Sequence, residues 1–294
     1  MKIDRARLSL EGLSVADAFG EQLLHAGPNA RAIALDARTA PVGRTWKWTD
    51  DTAMAISIVE ELHAHGAIDP SSLAARFARR YYMDPARGYG RGAHEVLAVI
   101  AAGTPWEIAA KQLFDGQGSC GNGGGMRSAP IGAYFAGDLD AVVANAARSA
   151  APTHAHPDGV AGAIAVAVAA ACVFDGERDP RALLETVHER TPAGPTREGL
   201  RRAMSMRASR VEPATVAAEL GNGSGVIASD TMPFSIWCAA THLADYAGAL
   251  WACGFVGGDI DTTCAIVGGI IVGAVGIDGI PADWRASREP LPVA

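Results

Sequence analysis

Aromatic residues are scarce in this chain: they make up 6% of 294 residues, against 49% for hydrophobic residues as a whole. The apolar content rests largely on alanine and glycine, which favours closely packed helices over a β-sandwich. Basic charge is also short, with 25 Lys and Arg against 32 Asp and Glu and a net charge of -7. That balance argues against a nucleic-acid partner, whose phosphates need clustered Lys and Arg. The five cysteines (Cys120, Cys172, Cys238, Cys253, Cys264) are scattered and never spaced as CxxC. Most sit in apolar helical contexts and read as buried thiols in a reducing compartment. The longest apolar runs, Val160 to Phe174 and Cys264 to Ile277, fall short of the roughly 20 residues that span a bilayer. Both read as buried helices, and Met1 to Arg5 shows no apolar stretch of a secretory leader. The expectation is a soluble, cytoplasmic protein that engages neither membrane nor nucleic acid. Its mixed-charge surface without an exposed apolar run further suggests a monomer.

What is present is a succession of helical periods. Leu8, Leu10, Leu13, Val15, Ala16, Phe19 and Leu23 predict a first helix over Ala6 to Leu24, rich in small residues and interrupted by Gly12 and Gly20. His25 to Trp48, with Gly27-Pro28-Asn29 and Pro41-Val42-Gly43, reads as loop with at most a short strand. Helices follow over Asp50 to His65, Ser71 to Tyr82, His94 to Ala102, Pro105 to Phe114 and, later, Gly159 to Phe174. Glu177 to Arg210 reads as surface helices, and Pro213 to Gly225 as a helix ending in the turn Gly221-Asn222-Gly223. Thr231 to Thr241 and Tyr246 to Cys253 are further helical runs. No repeat, low-complexity tract or linker divides the chain, so residues 1–294 read as one all-α domain with long functional loops.

The stretch Trp48-Thr49-Asp50-Asp51-Thr52 stands at the start of one predicted helix. Thr49 suits an N-cap, and carboxylates in a first turn are stabilised by the helix dipole, so a capped helix is one reading of it. A second acidic cluster, Gly257-Gly258-Asp259-Ile260-Asp261-Thr262-Thr263, repeats the chemistry at the mouth of another apolar run. Four carboxylates with threonine hydroxyls and no neighbouring Cys or His form an oxygen-only donor set. Such a set suits Mg²⁺, Mn²⁺ or Ca²⁺ and not Zn²⁺. Carboxylates brought together repel unless cations lie between them, and two divalent ions roughly 3.5–4 Å apart can also activate a bridging water.

Three loops accompany these clusters. Asp84 to Gly92 carries Arg87, Tyr89 and Arg91, candidates for phosphate contact or adenine stacking, or else parts of an ordinary solvated loop. Gly121 to Gly125, with Asn122, can present backbone N–H groups to a pyrophosphate or ribose oxygen, or be a tight turn. Thr153-His154-Ala155-His156-Pro157 places two histidines before a helix.

Taken together and in this order, Trp48 to Thr52, Gly121 to Pro130 with its Asn-Gly-Gly-Gly-Met-Arg run, the Thr153-His154 loop and Gly258 to Thr262 resemble the ADP-ribosylglycohydrolases. The resemblance spans residues from about 10 to 280. It implies an all-α fold with two Mg²⁺ ions, Mn²⁺ being possible, held by Thr49, Asp50, Asp51, Asp259, Asp261 and Thr262. It further implies substrate contacts from Asn122, Gly123, Gly124, Met126, His154 and Tyr89, with Asp51 or Asp261 polarising the attacking water. The implied reaction is hydrolysis of the glycosidic bond between ADP-ribose and a modified side chain, most simply arginine. Such a cleavage passes through an oxocarbenium-like state and needs an activated nucleophile. Two alternatives keep the site: hydrolysis of small ADP-ribose conjugates or other nucleotide glycosides, and a non-catalytic ADP-ribose-binding protein. Relatives carry Thr between the two late aspartates where this chain has Ile260.

Overall fold

The computed structural model describes residues 1–41, 43, 45–206 and 211–292. Among these, 17 α-helices and one 3-10 turn are joined by loops, with no β-strand beyond two isolated bridges. The central pair is α1 (Lys2–His25) and α16 (Ile260–Val275). Gly12 and Gly20, which look like interruptions of α1, are what seat it. A Cβ at Gly12 would lie 2.5 Å from the Gly268 carbonyl oxygen, and one at Gly20 would lie 2.6 Å from the Asp261 Cα. Only glycine lets the two backbones approach so closely. Ser9 Oγ donates to the Gly269 oxygen at 2.8 Å, and Tyr246 Oη to the Gly12 oxygen at 2.5 Å, which fixes the register of this contact.

α3 (Asp50–His65) and α8 (Ala129–Phe135) pack on α1. α10 (Pro157–Phe174) packs against α8, α9 (Leu139–Ala150), α14 (Ala228–Thr241) and α16. By length and composition α10 could cross a membrane, but 78% of it is buried inside the protein, where it serves as a core helix. α3 occupies the predicted span. Thr49 caps it by accepting from the Asp51 N–H at 3.3 Å, and Gly66 ends it with φ +69°.

Two differences from the expected helices have clear physical causes. The segment read as loop contains α2 (Pro28–Ala37), begun by Pro at its first position and closed by Arg38 in a left-handed conformation. The glycine-rich stretch read as loop becomes a single turn, α7 (Gly123–Met126), after Asn122. Its glycines permit contact: a Cβ at Gly124 would lie 3.1 Å from the Gly159 oxygen, and one at Gly125 2.5 Å from Met232. The surface helices expected within Glu177 to Arg210 are α11 (Pro180–Arg190) and α12 (Pro195–Ala203); residues 207–210 lie outside the described residues.

Candidate functional site

The close approach of α1 to α16 sets the start of α16 beside the start of α3. Gly257 and Gly258 turn the chain into α16 with φ of +68° and +75°, and Asp259 N–H donates to the Asn222 oxygen at 3.2 Å. The turn Gly221-Asn222-Gly223 is therefore the seat of the second acidic cluster. Thr262 Oγ1 then reaches Asp51 Oδ2 at 3.5 Å, so the two clusters, far apart in sequence, meet. Ile260, wholly buried, points its side chain into the core between the two aspartates.

Asp17, on α1, completes the cluster, and the sequence reading missed it. Its carboxylate accepts from Thr49 N (2.9 Å), Thr49 Oγ1 (2.9 Å), Thr52 N (3.2 Å) and Thr52 Oγ1 (2.5 Å). The only signal was a charged residue between Ala16 and Ala18 on a face that otherwise has to be buried. Thr49 Oγ1 also lies 2.9 Å from Asp51 Oδ2. One hydroxyl hydrogen cannot serve both carboxylates, so one of the two contacts needs a carboxyl proton or a cation.

Carboxylate oxygens of Asp17, Asp51 and Asp261 lie within 4.8 Å of one another. Two unit charges at that spacing repel by about 3–4 kcal/mol even at an effective dielectric near 20. Burial is the first cause that lifts these groups; repulsion between carboxylates is the second at Asp50, Asp51 and Asp261, while hydrogen bonds from Thr52 and Thr49 partly offset burial at Asp17. Asp17 is raised to about 6 and Asp50 to about 8, while Asp51 and Asp261 are held well above the usual carboxylate range. Asp51 Oδ1 and Asp261 Oδ1 are buried without a hydrogen-bond partner. Orphaned acceptor oxygens, hydroxyls and crowded carboxylates with no soft donor among them fit hard divalent cations.

Above the acids opens a cavity of about 540 Å³ whose floor includes Asp50, Asp259, Asp261 and Thr262. Thr49 and Asp51 are almost wholly buried and lie beneath that floor. One wall is formed by Gly121, Asn122, Gly123, Met126 and His154. Asn122 Nδ2 donates to Asp259 Oδ2 at 2.7 Å and to Thr231 Oγ1 at 3.2 Å, which joins this wall to the acidic floor. Gly124 is buried behind the wall and does not line the cavity. His156 lines it but also caps α10, its Nδ1 accepting from Asp158 N–H at 3.1 Å. A wider groove between α4 (Pro70–Met83) and α6 (Trp106–Gln112) holds no comparable cluster of acids.

The arginine-rich loop is placed differently from the sequence reading. Tyr89 is 5% exposed, edge-on to Tyr81 with ring centroids 5.1 Å apart, and is not part of the cavity lining, because its ring fills the core. Arg87 stacks 3.6 Å above the Trp48 ring, donates to the Trp48 oxygen and pairs with Asp84 and Glu289. It holds the loop to the start of α3, and its backbone oxygen accepts from Asp50 N–H at 2.7 Å. Of this loop, Gly88, Gly90, Arg91 and Gly92 face the cavity. Phe114, which packs against Gly92 of this loop, and Val226, whose oxygen accepts from Asn122 N–H at 3.2 Å, also line the cavity; they are 55% and 54% exposed, both with positive φ. Neither residue carried a sequence signal, since exposure and backbone conformation at a loop tip leave no periodicity.

The sequence profile of the ADP-ribosylglycohydrolases matches residues 1–291. The chain belongs to the ADP-ribosylglycohydrolase family. Over 273 residues the glycohydrolase is 32% identical to ADP-ribosylhydrolase ARH3 of Homo sapiens, covering 82% of this chain and 74% of that protein. An uncharacterized protein of Archaeoglobus fulgidus is 30% identical over 290 residues, covering 96% and 90%. A solved structure described as an ADP-ribosylglycohydrolase-related protein complex matches with a TM-score of 0.62 and 25% identity, covering 96% of this chain and 91% of that one. The all-α fold agrees with these relatives, and membership makes the chain an enzyme of the glycosyl hydrolase kind.

Proposed function

We propose that the protein is a Mg²⁺-dependent hydrolase that cleaves the glycosidic bond between ADP-ribose and a modified protein side chain, arginine first, and so reverses ADP-ribosylation. The observation that carries this reading is the convergence of two acidic helix starts, with orphaned oxygens, on the floor of one cavity. Thr49, Asp50, Asp51, Asp259, Asp261 and Thr262 are the residues that would hold two Mg²⁺ ions, Mn²⁺ serving as a substitute. When bound, such ions neutralise the carboxylates and acidify a water.

The chain's own residues divide the remaining work. Asp51 or Asp261 takes the proton of the attacking water; that Asp261 lines the cavity while Asp51 lies behind it supports Asp261 in this role, with Asp51 behind it. Asn122, tied to Asp259, orients the ribose end. Phe114, exposed at the cavity edge, offers an aromatic face to the base, where stacking contributes about 1–3 kcal/mol. Arginine is taken first as the simplest leaving side chain; Glu21 pairs with His25 at 2.9 Å and is not part of the cavity lining. We also place the protein in a reducing cytoplasmic setting as a monomer, in keeping with its five free cysteines.

A panel of conjugates tests the substrate: ADP-ribosyl-arginine peptide, ADP-ribosyl-serine peptide and small ADP-ribose glycosides, each with Mg²⁺ and with EDTA. Mg²⁺-dependent release of ADP-ribose, fastest from the arginine peptide, is expected. Faster release from another conjugate would transfer the assignment to that leaving group. Calorimetric binding of ADP-ribose with no release from any conjugate would replace the enzyme by a binding protein.

A further inference from the structure

In the cavity wall, beside His154, lies a guanidinium that reaches no carboxylate within ion-pair distance among the described residues. Arg127 is 1% exposed and sits 4.5 Å over the Phe77 ring. Its Nη1 approaches Met54 Sδ at 3.3 Å, and its Nη2 donates to the Ser149 oxygen at 3.0 Å and to Thr153 Oγ1 at 2.7 Å. Thr153 Oγ1 in turn stands 2.7 Å from His154 Nδ1 and 3.4 Å from the Ala150 oxygen. A guanidinium has no acceptor, so Thr153 accepts from Arg127 and its single hydrogen is free to be donated. The nearer acceptor is Nδ1. If Nδ1 accepts, the ring hydrogen resides on Nε2.

The surroundings of the ring are built for that orientation. A Cβ at Gly123 would lie 3.2 Å from His154 Cε1 and 3.4 Å from Nε2, and one at Gly159 would lie 3.1 Å from Cδ2. Glycines therefore clear the space that the ring occupies at the cavity wall. We infer that Arg127 and Thr153 are positioning residues that lock His154 as its Nε2–H tautomer, a fixed neutral donor to an acceptor oxygen of ADP-ribose and not a proton-transfer group. The ligand in this statement rests on the functional reading above; the tautomer does not. Burial first, and the Arg127 charge second, hold the His154 pKa down to about 3, so the ring stays neutral in the working range.

Long-range ¹H–¹⁵N spectra of the ligand-free protein labelled at its eight histidines test this, with His154 assigned by the signal lost in His154→Gln. A pyridine-type Nδ1 and a pyrrole-type Nε2 are expected in the wild type and in Thr153→Ser, and a mixture of tautomers in Thr153→Val. Calorimetry with ADP-ribose should show Kd rising about ten- to a hundredfold in Thr153→Val, the effect of one misdirected hydrogen bond to a charged group, and returning in Thr153→Ser. An Nδ1–H tautomer in the wild type would overturn the inference, as would a folded Thr153→Val protein with wild-type tautomer and affinity. The wild-type spectrum decides even where Thr153→Val fails to fold. Because it needs no ligand, failure of the relay and failure of the functional reading register separately.

Discussion

Asp17 holds the first turn of α3 in place by accepting from both backbone and side chain of Thr49 and Thr52. Asp17→Ala leaves two buried N–H groups without acceptors, at about 1–3 kcal/mol each, and should lower unfolding free energy by about 2–5 kcal/mol in urea. Asp17→Asn keeps an acceptor for those N–H groups and should stay within about 1 kcal/mol of the wild type. Equal stability of the alanine variant would show that the carboxylate does not hold the helix start. At this scale the sequence was legible where residues of one kind cluster, as at Asp50-Asp51 and Asp259–Asp261. It was illegible where a residue acts alone from another element, as Asp17 does. It left Tyr89 and Arg87 open between ligand and ordinary loop, because an aromatic and a cation in a Gly-rich loop fit both until their partners, Tyr81 and Trp48, are seen to be core or anchor.

The same distinction holds for elements. α3 could be read because its cap, its apolar period and its closing glycine agree. α2 could not, because it buries no residue and so has no apolar face to read, and because Gly27-Pro28 looks like a turn as readily as a helix start. The decisive packing of α1 on α16 was written as interruptions, Gly12 and Gly20, whose purpose needs the partner helix. Gly268 is their counterpart: a Cβ there would fall 2.7 Å from the Gly12 oxygen and 3.0 Å from Tyr246 Oη. Gly268→Ala should therefore destabilise the fold by about 1–3 kcal/mol through overpacking, seen as a lower thermal midpoint. By tilting α1 it should also weaken Mg²⁺ binding. Unchanged stability and binding would detach the helix contact from the site.

For the molecule as a whole, the acids of the site oppose the fold that gathers them. Asp17 is raised to about 6 and Asp50 to about 8, from 3.8 for an unperturbed aspartate, so the folded chain keeps protons that the unfolded chain has released. In EDTA, the stability tied to those protons is complete below about pH 4 and is lost as the pH rises through about 6 to 8. The thermal midpoint in EDTA should fall from pH 5 to pH 8, and Asp50→Asn should flatten that fall. Mg²⁺ should restore more stability at pH 8 than at pH 5; an equal shift at both would contradict the cation clamp. Asp259 gives the most direct test of that clamp. Its side chain caps no backbone N–H of α16, and Asn122, which donates to it, keeps Thr231 Oγ1 as an acceptor, so Asp259→Ala should still fold. The deciding measurement is ADP-ribose release from ADP-ribosyl-arginine peptide as a function of Mg²⁺ concentration, in the wild type and in Asp259→Ala. The account predicts saturable Mg²⁺-dependent release in the first and none from the folded second, whereas equal release from both, or release indifferent to EDTA, would contradict it.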